Sequence, residues 1–312
     1  MTETFDPRKA FGAAVTELAE INPRIVVLST DSGGSSGFEA FASAHADRYI
    51  ELGIQEQGAT GVAAGLAATG WIPVYCAIAP FVTCRNFEAV RNDIGYMRQN
   101  VKIVGRNGGL SYSDLGATHH SLEDYALMRA IPGMLVLAPQ DASEISSAVK
   151  AMIDYNGPVY MRIGSSAVPD LFSGQPFQIG RARHVREGKD LTIVSTGYIT
   201  PTVLEALDQL ASENIFADVL ALGTVEPLDA DAILRSAQLT RTVVTVEEHY
   251  DRGGLGAAVC EVLAPYALSV HRIAVPHKFV ASGPYGETLS MLKLDAPGIA
   301  QTIREVLRTR CA

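Results

Sequence analysis

ELGIQEQGATGVAAGLAATGWIPVYCAIAPFVTC, residues 51–84, carries no charged side chain from Gln57 to Cys84. That run is long enough to span a bilayer. Gly70, Pro73 and Pro80 break it, however, and its first half is Ala and Gly where a spanning helix would have Leu and Ile. It therefore predicts a buried helix over Gln55–Ala68, ending near Gly70, followed by a buried strand over Ile72–Ala77. Units of this kind build parallel sheets covered by helices on both faces.

The same alternation extends in both directions. Ile25–Ser29, Val101–Val104, Met134–Leu137 and Val159–Ile163 read as strands; Pro7–Glu20, Asn86–Gln99, Ser121–Arg129 and Ala142–Tyr155 read as helices. Pro169, Gly174, Pro176 and Gly180 then interrupt the pattern. It restarts with strands at Leu191–Ser195, Val219–Leu222, Val243–Val246 and Val270–Ala274, and helices at Thr200–Asn214, Gly254–Leu263 and Ala296–Thr309. The expected fold class is α/β, with two domains, each a mostly parallel sheet covered by helices. Domain 1–165 leads through a linker, 166–188, into domain 189–312.

A chain of 312 residues, 47% hydrophobic and 19% charged, can bury a sizeable core. Lys and Arg number 25 against 34 Asp and Glu, a net charge of −9, which argues against sequence-independent nucleic-acid binding. Cys76, Cys84, Cys260 and Cys311 are far apart, with no CxxC spacing, and fit reduced thiols of a cytoplasmic protein. The N-terminal MTETFDPRKAFG lacks the apolar core of a signal peptide. A soluble protein bound to neither membrane nor nucleic acid is expected.

Three segments stand out as candidates for chemistry. RIVVLSTD, residues 24–31, runs into GGSSG at Gly33–Gly37, where backbone N–H groups either approach an anion or simply make a strand-to-helix turn. Glu56 lies in the first turn of a nearly all-apolar helix with no basic residue nearby along the chain. Burial without a partner would raise its pKa and suit a proton-holding group; the alternative is a favourable interaction with the helix dipole alone. Gly61 and Gly65 on that helix suggest a tight helix–helix contact, within the chain or between subunits. His119 and His120 follow Gly116-Ala117-Thr118, one exposed and one poised in a cleft, without the companions a metal site needs. No GxSxG or Ser-His-Asp pattern supports hydrolase chemistry.

In combination, ELGIQEQGATGVAAGLAATGWIPVYCAIAPFV, GATHH, IPGMLVLAPQDASE and GPVYMRIG resemble the pyrimidine-binding domain of transketolases. GTVEPLD and VVTVEEHYDRGGLG resemble the transketolase C-terminal domain. The Gly-Asp-Gly motif with which the family binds its cofactor diphosphate does not occur in the sequence. The resemblance is thus to the C-terminal half of a split, two-subunit transketolase.

The resemblance implies thiamine diphosphate as cofactor, shared with an N-terminal subunit that contains Gly-Asp-Gly and binds Mg²⁺ or Ca²⁺, in a heterotetramer acting on sugar phosphates. It implies a transferase that moves a two-carbon ketol unit. Glu56 matches the glutamate that hydrogen-bonds the aminopyrimidine and favours the tautomer able to take the thiazolium C2 proton. Phe81 and Phe87 match aromatic positions on that ring, with Cys84 where many members place a third aromatic, and Asp31 matches an acidic position near the cofactor. His119 matches the substrate-facing histidine of the Thr-His motif. Arg8, Ser35 and Arg162 match positions that hold the substrate phosphate. Asn107 and Leu115 stand where a histidine and an aspartate usually read substrate hydroxyls, which implies an intact cofactor site with altered sugar selection. A 1-deoxyxylulose-5-phosphate-synthase-like enzyme, a 2-oxo acid dehydrogenase β-subunit and a non-catalytic regulatory paralogue are the competing readings.

Overall fold

The computed structural model describes residues 4–310. Cys311 lies outside them, and Cys76, Cys84 and Cys260 are free thiols. The chain runs β1 (Thr4–Phe5), α1 (Pro7–Ile21), β2 (Ile25–Ser29), α2 (Glu39–Ala44), β3 (Tyr49–Glu51), α3 (Glu56–Ala68), β4 (Ile72–Ile78), α4 (Ala79–Val82), α5 (Phe87–Ala89) and β5 (Lys102–Arg106). It continues through α6 (Asp124–Arg129), β6 (Leu135–Leu137), α7 (Ala142–Asp154), β7 (Val159–Arg162) and β8 (Val168–Pro169). A second set follows: β9 (Ala182–Arg186), β10 (Leu191–Thr196), α8 (Thr200–Ala211), β11 (Ala217–Leu222), β12 (Thr224–Glu226), α9 (Ala230–Thr240), β13 (Thr242–Tyr250), α10 (Leu255–Leu263), β14 (Ser269–Val275), α11 (Tyr285–Met291) and α12 (Ala296–Arg310).

The fold is α/β with two large sheets. The first has the order β12-β6-β7-β5-β4-β2-β3 and is parallel except for β12, which pairs antiparallel with β6. The second has the order β14-β13-β10-β11-β9, parallel except for β9. Buried Val, Ile and Leu fill both faces of each sheet, as parallel strands between helical layers require.

Several elements differ from those read in the sequence. β12 follows β11 after one glycine but leaves its own sheet to extend the first one, so the two units share a strand connection. β9 lies inside the stretch read as linker; it pairs with β11 through half-buried residues that carry no strong apolar signal. The helix expected over Asn86–Gln99 is a short α5 followed by a π-helical turn at Val90–Tyr96, which presses Gly95 onto Ile131. A Cβ on Gly95 would lie 2.4 Å from Ile131 Cγ2. The tight contact expected of Gly61 and Gly65 is not made inside the chain: a Cβ on either meets nothing within 4 Å. No helix among the described residues is long and apolar enough to cross a membrane.

Lys102 opens β5 fully buried, its Nζ donating to the carbonyls of Tyr155 at 2.6 Å and Gly157 at 2.9 Å just past the end of α7. Burial pushes the ammonium down to about 7 from an ordinary 10.5. Between those values the unfolded chain binds more protons than the folded one, so this group makes stability rise with pH across that window and leaves it flat below. The urea midpoint of the wild type should therefore climb from pH 7 to 9 relative to that of Lys102→Met. Parallel pH profiles would show that Lys102 keeps its ordinary proton affinity.

Candidate functional site

The C-terminal ends of β2, β3, β4, β5 and β7 form one edge of the first sheet. Strands β3 and β4 leave on opposite sides of β2, the switch in strand order beside which open α/β sheets hold their ligands. Along this edge lie Asp31 and Ser35 after β2, Glu56 at the start of α3, Phe81 in α4, Phe87 at the start of α5, Asn107 to His119 after β5, and Arg162 at the end of β7.

Glu56 is the first residue of α3 and is buried. Its backbone carbonyl accepts hydrogen bonds from Tyr75 Oη at 3.0 Å and Asn86 Nδ2 at 2.8 Å, so β4 and the turn after α4 fix where the helix begins. The expectation that this carboxylate is unpartnered does not hold. Arg85, 29 residues along the chain, donates from NH1 to Glu56 Oε2 at 2.9 Å. The same guanidinium lies 3.9 Å from the centroid of the Phe81 ring. Phe81 and Glu56 therefore frame a slot for a flat group that stacks on one side and donates to a carboxylate. The guanidinium shows that a planar N–H donor fits there.

His119 meets the same ring, with centroids 5.2 Å apart in an edge contact. Thr118 Oγ1 lies 2.9 Å from His119 Nδ1, which leaves Nε2 as the nitrogen for a ligand. Partial desolvation, and then the charge of Arg85, hold this imidazole below its ordinary value. Both disfavour its charged form. His120 is buried, with Nε2 3.4 Å from the Ser113 carbonyl, and belongs to the loop's support. Leu115, 50% exposed, sits on the same loop.

Phe87 is half-buried and packs against the apolar cluster that includes Ala59, Val82 and Val90. Asp31 is exposed, with a left-handed φ of 55°, and its N–H donates to Glu51 Oε1 at 2.7 Å. Arg8 forms a two-pronged pair with Asp6 at the start of α1, at 3.1 and 2.9 Å. Two glycines press α1 onto the GGSSG loop: a Cβ on Gly12 would lie 1.9 Å from Gly37 O, and one on Gly37 2.2 Å from Arg8 O. The backbones of Arg8 and of the loop bearing Ser35 are thus held together, and Ser35 Oγ donates to Ser32 O at 3.1 Å.

Arg162 has its guanidinium taken up by partners within the protein. It is 6% exposed, with NH1 3.5 Å from Asp124 Oδ1 and NH2 donating to Glu248 O at 2.6 Å and Ser121 O at 3.3 Å. Its guanidinium carbon lies 4.5 Å from the Tyr125 ring centroid. Asp124 in turn accepts from Tyr160 Oη at 2.6 Å. Glu248 accepts from Leu110 N at 3.0 Å and Tyr285 Oη at 2.5 Å. This buried network ties β7 of the first sheet to β13 of the second.

Arg106, which the sequence motifs did not single out, is the contrasting case. It is 3% exposed, and among the described residues it pairs with no carboxylate. NH1 donates to Asn107 Oδ1 at 2.8 Å and approaches Tyr112 Oη at 3.4 Å, while Arg106 Nε and Asn107 Nδ2 have no partner. Buried cations are ordinarily paired. Tyr112 also contacts the His119 ring, with centroids 6.0 Å apart, and so links Arg106 to the histidine that meets Phe81. The signal available in the sequence was an arginine at the end of a buried strand, next to a residue already suspected.

Residues 3–170 match the family model of the transketolase pyrimidine-binding domain, and residues 180–299 that of the transketolase C-terminal domain. The chain is 39% identical over 303 residues to one subunit of an apulose-4-phosphate transketolase from Phocaeicola vulgatus, covering 96% of this chain and 97% of that protein. It is 36% identical over 301 residues to a 6-deoxy-6-sulfo-D-fructose transketolase subunit of a Clostridium species, covering 96% and 94%. It is 34% identical over 304 residues to the 1-deoxy-D-xylulose-5-phosphate synthase of Syntrophotalea carbinolica, covering 95% of this chain but 47% of that enzyme. A solved structure described as a split gene transketolase, inactive beta4 tetramer, superposes with a TM-score of 0.91 at 38% identity, covering 97% of this chain and 99% of that one.

Proposed function

The chain belongs to the transketolase family, and from that premise we propose that it is the C-terminal subunit of a two-chain, thiamine diphosphate-dependent enzyme. The enzyme transfers a two-carbon ketol unit between anionic sugars and works only with an N-terminal-half partner bearing the Gly-Asp-Gly motif. The observation that carries this reading is the Glu56–Phe81 slot with His119 at its edge. The cofactor, when bound, supplies the covalent chemistry at its thiazolium ring. Glu56 shares a proton with a pyrimidine nitrogen, accepting the N–H of the ring's imino form, Phe81 offers the stacking face, and His119 presents Nε2 to substrate hydroxyls. Asp31 lies farther along the same edge.

The diphosphate and its Mg²⁺ or Ca²⁺ belong, in this reading, to the partner. Its docking face is placed on the open side of α3, where Gly61, Val62 and Gly65 are exposed beside Ile54, itself 76% exposed. An assembly of at least two of each subunit then buries that apolar face.

The substrate's terminal anion is assigned to Arg106 with Asn107 Nδ2, supported by Arg8 and Ser35. The relatives named for a sugar phosphate and for a sulfo-sugar both act on anionic sugars, which favours a phosphate or sulfonate end group. Leu115, unable to accept a hydrogen bond, replaces a hydroxyl reader and favours an unusual sugar.

A panel of phosphorylated, sulfonated and neutral ketoses run on the assembled enzyme tests this. Anionic donors should have the higher kcat/KM, and Arg106→Ala should raise their KM by roughly 10–100-fold with little change in kcat. Equal kcat/KM for neutral and anionic sugars in the wild type would refute the anion site. Turnover of pyruvate with loss of CO2, and none of ketoses, would support the synthase-like reading.

A further inference from the structure

Arg85 occupies both of the positions that the proposed function gives to the aminopyrimidine. Its guanidinium covers the Phe81 ring at 3.9 Å and donates to Glu56 Oε2 at 2.9 Å. Stacked groups sit at van der Waals separation, so one face of Phe81 holds one planar group at a time. A carboxylate oxygen already bonded to an arginine is likewise a poorer partner for a second donor arriving from that side. Arg85 is otherwise free to leave. It sits in the turn between α4 and α5 with 40% of its side chain exposed, and Glu56 is the single hydrogen-bond acceptor of its guanidinium among the described residues.

We propose that Arg85 is a built-in competitor for the cofactor ring: a positioning residue that stacks on Phe81 and neutralises Glu56 until the aminopyrimidine displaces it. The arrangement answers a physical problem of a split enzyme. The half-site on this chain exposes an aromatic face and a buried carboxylate before cofactor and partner arrive, and a buried carboxylate without a partner is costly. Arg85 fills the slot with a group of similar shape and hydrogen-bonding sense. Because it is tethered, it vacates the slot without leaving the protein. Once displaced, its charge remains at the rim, next to His119.

This inference rests on the thiamine diphosphate reading of the slot. The test is calorimetric titration of thiamine diphosphate with Mg²⁺ into the two-chain complex, using wild type, Arg85→Ala and Arg85→Met. Removing a half-exposed ion pair and a cation–π contact that compete with the ligand should tighten cofactor binding roughly tenfold in both variants. The gap between wild type and variants should narrow as salt rises, because screening weakens the competing pair. A residue with a merely structural role would loosen binding or leave it alone when removed. Unchanged or weaker binding by both variants, with wild-type binding intact, overturns the Arg85 proposal and leaves the cofactor reading standing. Failure of every form, wild type included, to bind the cofactor overturns both.

Discussion

Glu56→Gln, placed in the assembled two-chain enzyme, should fold normally and turn over roughly 10²–10⁴-fold more slowly at saturating cofactor and substrate. The expectation of a normal fold follows from what anchors the residue. Tyr75 Oη and Asn86 Nδ2 hold the Glu56 backbone carbonyl and do not touch its carboxylate. The start of α3 is therefore set independently of the side chain. The loss of turnover follows from the chemistry: an amide can accept a hydrogen bond but cannot hold the proton that selects the reactive tautomer of the ring. Glu56→Ala should show at least as large a loss. Circular dichroism and cofactor titration on the same preparations separate a folding defect from a catalytic one. Near-normal turnover would mean that Glu56 serves only Arg85 and the helix dipole.

Arg162→Ala should destabilise the chain by about 3–5 kcal/mol, the range for removing one partner of a buried ion pair. The arginine meets Asp124, two backbone carbonyls and the face of Tyr125, all inside the seam between the two sheets. Its removal leaves Asp124 buried with Tyr160 Oη as its one close donor among the described residues, and takes the Arg162 hydrogen bonds from the Glu248 and Ser121 carbonyls. Gly108 and Gly109 are packed against the same side chain: a Cβ on Gly108 would lie 2.4 Å from Arg162 Cγ, and one on Gly109 2.3 Å from NH2. The vacated space therefore opens a cavity directly behind the Asn107 loop. Denaturant unfolding of the isolated chain measures the effect. A variant of wild-type stability whose KM rises for anionic substrates alone would return Arg162 to the substrate, as its sequence match implies.

The parallel α/β architecture was legible because buried strands leave uninterrupted Val and Ile runs, and residues 51–84 show one such run with its helix. β12 was not legible as part of the first sheet. Three residues, Thr224 to Glu226, carry no mark of which sheet they join, and only the folded chain brings them beside β6. In the candidate site, the motifs singled out Glu56, Phe81 and His119, and the structure groups them through Arg85 and the Phe81 ring. Arg85 was invisible as a partner of Glu56 because local sequence reports neighbours along a helix and says nothing of one 29 positions away. The contrast between Arg106 and Arg162 escaped for a related reason. Each is an arginine at the end of a buried strand, and what distinguishes them is whether a carboxylate is waiting in three dimensions: Asp124 for one, none among the described residues for the other.

The central claim is that this chain is half of a cofactor site, and one measurement addresses it most directly. Thiamine diphosphate and Mg²⁺ are titrated by calorimetry into the purified chain, into a candidate Gly-Asp-Gly partner, and into their mixture, with turnover followed in each cell. Among the described residues this chain brings together no group of three His, Cys, Asp or Glu side chains able to hold a metal ion, and in the proposed function the diphosphate and its metal belong to the partner. The expected result is weak or undetectable binding by this chain alone, and tight binding with turnover only in the mixture. Tight binding and turnover by the isolated chain would contradict it.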